Sequence, residues 1–173
     1  MRRLLLLTAL ACTLFAGTVN RGLITSAEVN MNKQVEALFP GEQFVLLGHA
    51  QGVYLDGFGC VFTMRLNLAE GPGPNPFLQQ LPASAKAALH KKKLDRLPVL
   101  KERMRDMLVS AAVTMDPVPP TEKMVLSVSL LYMPHEDTAG LPSQIVMQAP
   151  KKALLGFLSN RAAAEQAVQV REY

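Results

Sequence analysis

Cysteine is nearly missing from this chain: there are two among 173 residues, Cys12 and Cys60. Two thiols allow one pairing at most, which excludes the dense disulfide framework of many small secreted domains. A large excess of charge is missing too. Eighteen basic residues face 14 acidic ones, and Arg2 and Arg3 supply half of the +4 balance. Charge therefore gives no argument for nucleic acid. The densest basic run, Lys91-Lys92-Lys93 followed by Arg96, has no aromatic residue interleaved, so no stacking platform for single strands is visible. No apolar run comfortably reaches the about 20 residues that a membrane span needs. Catalytic signatures are lacking as well. The chain has no G-x-S-x-G, no S-x-x-K and no zinc-binding H-E-x-x-H or H-x-x-E-H. No cofactor and no metal is implied.

What the chain does have is a marked amino terminus. Arg2 and Arg3 precede Leu4-Leu5-Leu6-Leu7, and the apolar character continues to Ala16 before Asn20 and Arg21 stop it. A positive start, a short apolar run and a small-residue exit describe a secretory signal. Residues 1–16 are expected to be that signal, with cleavage as late as residue 27. Ala16 has a large residue two places before it. Thr25-Ser26-Ala27 fits the small-x-small rule better but lies far from the apolar run. An uncleaved anchor is the alternative, and the membrane would be reached only through it. Ala9-Leu10-Ala11-Cys12 has some features of a lipoprotein signal. Loss of the segment takes Cys12 away and leaves Cys60 alone, so the exported domain must be stable without an internal disulfide. The remaining residues, from 27 to 173, are enough for one self-sufficient core.

Periodicity predicts the elements. Ala27, Met31, Val35 and Leu38 recur at helical spacing between Ser26 and Phe39, and Pro40-Gly41 ends that segment. Gln43 to Leu68 reads as two strands about the turn Asp56-Gly57-Phe58-Gly59, with Gly48 and Gly52 marking a bend or bulge. On the return strand Cys60, Phe62, Met64, Leu66 and Leu68 alternate with Val61, Thr63, Arg65 and Asn67, a half-buried pattern. Gly71-Pro72-Gly73-Pro74-Asn75-Pro76 is a loop on composition. Ser84 to Met115 is helical, and Pro98 is expected to break or kink it. Lys123 to Met133 and Ser143 to Gln148 are strands, and Lys151 to about Val170 is a closing helix. The resulting expectation is an α+β fold: a four-stranded antiparallel sheet in β-β-α-β-β-α order, with the helices packed on one face.

A few polar residues are candidates for chemistry. His135-Glu136-Asp137 is the densest cluster, and imidazole and carboxylate both supply lone pairs for acid–base work. His49 and Asp56 are the other candidates to join them. Cys60 shares the apolar side of its strand with Phe62 and Met64, which points to a buried thiol. Gly57-Phe58-Gly59 joins two strands rather than a strand and a helix, so it is a turn and not an anion cradle. Lys91-Lys92-Lys93 with Arg96 reads as a solvated helix face, and the methionines of the long helix read as core.

The run from Gly52 to Thr63, GVYLDGFGCVFT, resembles a hairpin of uncharacterised exported bacterial proteins. The stretches from Leu97 to Lys101 and from Leu141 to Pro150 resemble the same proteins. The resemblance spans most of the mature chain. It implies a class and a compartment, periplasmic or secreted, and brings no activity or site residue. The expected role is a non-enzymatic interaction or assembly module of a bacterial envelope with a protein partner. The competing expectation is an exported hydrolase built on the loop around His135.

Overall fold

The computed structural model describes residues 19–41, 44–71, 82–158 and 165–173. The expected signal, Cys12 and most of the Gly71–Pro76 loop lie outside these residues.

The first helix, α1, is Arg21–Glu36, and it starts before the expected Ser26. Asn20 is its cap: extended itself, it accepts a hydrogen bond from the Leu23 N–H at 3.0 Å. That satisfies one of the amides that every helix start leaves open. Ile24, Ala27, Met31 and Val35 fall on one face and are buried. Two antiparallel strands follow, β1 (Val45–Leu55) and β2 (Gly59–Asn67). Their register slips between Leu46 and Gln51, which locates the anticipated bulge at Gly48. Gly52 has another use. A Cβ there would lie 2.6 Å from the Phe62 ring and 2.8 Å from Ile24, so its bare backbone lets α1 seat on the sheet.

The second helix, α2, runs unbroken from Ala83 to Thr114 with Pro98 inside it. The expected break is absent because Pro98 and Leu94, whose carbonyl loses its partner, both lie on the exposed side. Water can satisfy that carbonyl. On the other side Leu97, Leu100, Met104, Leu108 and Ala111 are buried and hold the helix to the sheet. Strands β3 (Lys123–Leu130) and β4 (Gln144–Pro150) come next. Of the expected closing helix, α3 covers Lys151–Leu155 and passes into a 3-10 turn, Gly156–Leu158, and residues 165–167 are helical again. The chain then forms an unexpected fifth strand, β5 (Gln169–Glu172), which overlaps the end of the expected helix at Gln169 and Val170.

The sheet is therefore five-stranded and mixed, in the order β1-β2-β3-β4-β5. The α+β class holds, but the four-stranded antiparallel arrangement does not. β2 and β3 are parallel, and the other neighbours are antiparallel. The cause is α2. A long helix carries the chain back along the full sheet, so β3 must enter from the end at which β2 began. The buried residues Cys60, Phe62, Met64, Leu66, Met124, Leu126, Val128, Ile145 and Met147 share one face with α1 and α2 in a single core. Among the described residues the opposite face of the sheet carries no helix, and Val53, Thr63 and Arg65 on it are exposed.

Candidate functional site

The two ends of the sheet hold different polar structures. One end is formed by the exits of β2 and β3. Here the loop from Leu131 to Ser143 folds back over α2. Glu136 pairs with Lys93, and their side chains are only 3% and 1% exposed. The Lys93 ammonium lies 5.0 Å from the centre of the Tyr132 ring, and the Tyr132 hydroxyl donates to the Pro142 carbonyl at 2.7 Å. Nearby, Arg96 donates to the Leu68 carbonyl and stacks 4.2 Å over Phe39. The basic run is thus divided. Lys91 and Lys92 are exposed, whereas Lys93 and Arg96 are buried, contrary to the expected solvated face.

The other end collects the α1 start, the β1–β2 turn and the end of α2. Buried Lys151 donates to three backbone carbonyls, those of Met115, Asp116 and Val118, at 2.7–2.9 Å. It places a cation where the α2 dipole is negative and the last carbonyls lack amides. Loss of water lowers the Lys151 pKa, partly opposed by Asp116 and Cys60. The Tyr54 hydroxyl donates to Glu122 at 3.4 Å. Burial, then the Glu122 hydrogen bond and charge, push Tyr54 up to about 12. Glu122 Oε2 is buried without a hydrogen-bond partner among the described residues. Cys60, fully buried, is raised to about 11, by desolvation first and Glu122 second. A thiol so hard to ionise is no nucleophile at neutral pH.

These shifts set an alkaline limit. Cys60 starts from 9.0, and Tyr54 and Tyr132 from 10.0; burial chiefly pushes Tyr132 to about 12 also. The folded state therefore keeps protons that the unfolded chain releases. Stability is full below pH 9 and falls between about pH 9 and 12. Lys151, lowered in the fold, works in the opposite direction but is one group against three. Urea midpoints measured from pH 8 to 11 are expected to fall, with the 295 nm absorbance of Tyr54 and Tyr132 rising only as the protein unfolds. A flat midpoint across this range would mean that Cys60, Tyr54 and Tyr132 hold their protons no more tightly in the fold than in the unfolded chain.

The residues singled out for hydrolysis do not assemble. His135 is exposed at the loop tip. Glu136 is committed to Lys93. Asp137 holds its own turn, accepting from the Ala139 N–H at 3.0 Å, while its carbonyl accepts from His90 Nδ1 at 2.9 Å. His49 is exposed on edge strand β1. Asp56 is in the β1–β2 turn, at the opposite end of the sheet from His135. From Gly59 to Leu66 alone the sheet spans about 23 Å at the rise of a strand. Among the described residues no group of three or more His, Cys, Asp or Glu could hold a metal ion. Lys93, Arg96 and Lys151 carry the buried polar structure, and composition alone gave no sign that these three bases are internal.

The uncovered face of the sheet has a definite pattern. Val53, Val61 and Val125 are cross-strand partners in one row, continued by Gln148 and Gln169. Val53 is 48% exposed, Leu55 47% and Phe58 41%, three large apolar side chains at one end. Lys123 lies 5.7 Å above the Phe58 ring. Beyond this end the face turns polar, through Gln51, Thr63, Ser127 and Ser129. Its charged strand residues are Lys123, Arg65 and Arg171, all exposed and all basic. Glu122 and Glu172 adjoin Lys123 and Arg171 in sequence, but Glu172 is the register partner of core-facing Ile145 and Glu122 meets the Tyr54 hydroxyl. No helix among the described residues is long and apolar enough to cross a membrane. A scan against protein-family models, a search of curated proteins and a search of solved structures found no match to this chain.

Proposed function

We propose that the chain is exported by its amino-terminal segment and acts as a non-enzymatic interaction module of a bacterial envelope. The open sheet face is its binding surface. The observation behind this reading is the apolar end formed by Val53, Leu55 and Phe58 around the Val53–Val61–Val125 row. Contiguous exposed apolar side chains rimmed by polar ones are a common feature of protein contact sites. The basic set Arg65, Lys123 and Arg171, with no carboxylate on the same strand positions, selects the partner's chemistry. A protein surface with an apolar centre and an acidic rim fits it.

A photo-crosslinking residue at Val53 or Leu55 in the exported protein is expected to give a discrete adduct. The same residue at Val113, which is 52% exposed on the helix layer, is expected to give none. Arg65→Glu with Arg171→Glu should reduce the Val53 adduct about tenfold, through lost attraction and new repulsion. Adducts from Val113 alone would overturn the assignment of the face. An adduct of doubled mass would identify a second copy of this chain in place of a different protein.

A further inference from the structure

We infer that export processing, if this chain is exported as proposed, cuts ahead of Asn20 and leaves α1 whole, with Ala16–Gly17 the site and Ala27 excluded. The inference rests on the export reading and adds the processed terminus to it. By residue type alone Thr25-Ser26-Ala27 is the better small-x-small site. The structure places it in the middle of a core helix. Ala27 is 1% exposed and Ile24 is 7% exposed, and both belong to the main hydrophobic cluster.

A chain beginning at Glu28 would lose three supporting residues and disturb a fourth. The Asn20 cap would go, and with it the bond to the Leu23 amide. Arg21 would go; it donates to Glu28 at 2.9 Å and to the Gly52 carbonyl at 2.9 Å. Ile24 would leave a void beside Gly52, whose position is set by close contact with Ile24 and Phe62. Glu28 Oε1 also accepts the Gly52 N–H at 2.7 Å, which puts this residue inside the α1–β1 seam. As the first residue of the chain it would carry a charged ammonium into that seam and lack the preceding turn that orients it. Only a cut ahead of the cap leaves these contacts intact. The apolar run ends well before Ala27, which places the Ala16 exit closer to where a peptidase acts.

The test is to express the full chain with a carboxy-terminal tag in a Gram-negative host, recover the periplasmic protein and read its amino terminus by sequencing and intact mass. A start at Gly17 is expected. An Ala16→Trp chain, blocked at the proposed site, should accumulate as the uncut, membrane-retained precursor. A start at Glu28 in either chain overturns the inference while leaving export intact. Retention of the wild-type chain in the cytoplasm starting at Met1 overturns the export reading itself. A wild-type chain found across the membrane but starting at Met1 makes the segment an anchor and overturns the proposed cut. As a second measurement, chains begun at Gly17 and at Glu28 are compared by thermal unfolding. A cooperative transition is expected from the first and its loss from the second; equal transitions would count against the argument.

Discussion

Gly59→Ala is expected to be among the most damaging single substitutions in this protein, costing about 4 kcal/mol of the roughly 5–15 kcal/mol that a domain of ordinary stability has. Gly59 opens β2 with φ +127°, and a Cβ there would fall 1.9 Å from the Lys123 carbonyl oxygen and 2.7 Å from its nitrogen. Both obstacles are backbone, so no rotamer change relieves them. The site is where the parallel pair begins: the Lys123 N–H donates to the Phe58 carbonyl at 2.8 Å, and Gly59 and Lys123 are register partners. Moving the strands apart to admit a methyl group would disturb the ladder at its first rung. Gly57 is the control. It also has positive φ, +74°, but nothing lies within 4 Å of its would-be Cβ. Gly57→Ala should cost only about 1–2 kcal/mol, the left-handed penalty alone. Urea unfolding of both variants decides the matter, and a Gly59→Ala protein as stable as Gly57→Ala would remove the close approach from the account.

The Gly59 contact is also one that local sequence patterns do not reveal. The turn glycines and the alternation of β2 were legible because both are local, and α1, α2, β3 and β4 were found by the same local periods. The parallel partner of β2 was not legible. Lys123 is separated from Gly59 by the whole of α2, and strand direction depends on how far that helix carries the chain. β5 was missed because Gln169-Val170-Arg171-Glu172 has no strong alternation; it is extended through pairing with β4. The exposed face was partly legible, since Val61, Thr63 and Arg65 were already set against the apolar side of β2. Its basic character needed Lys123 and Arg171 to be brought into the same sheet. The buried bases were hidden for a different reason. Lys93 and Arg96 stand next to Lys91, Lys92 and Asp95, and a charged helix segment looks solvated until the loop that covers it is known.

Lys93→Met is the second large effect, expected to cost about 3–5 kcal/mol. The loss comes less from the bond than from what it leaves behind: Glu136, 3% exposed in its side chain, would be a buried carboxylate with no cation. Glu136→Leu should cost a similar amount by stranding the Lys93 ammonium against Tyr132. The double variant Lys93→Met with Glu136→Leu removes both charges together and should recover most of the loss, since apolar side chains of similar volume often replace a buried pair without penalty. A double-mutant cycle on urea midpoints is expected to give a coupling energy of about 3 kcal/mol, the upper end for residues in contact. Hydrogen exchange in Met133–Thr138 should quicken in each single variant and return toward the wild-type rate in the double. Additive single effects would mean that Glu136 is not held by Lys93. Its carboxylate would then be free beside His135, and the hydrolase reading would regain the base that the ion pair takes from it.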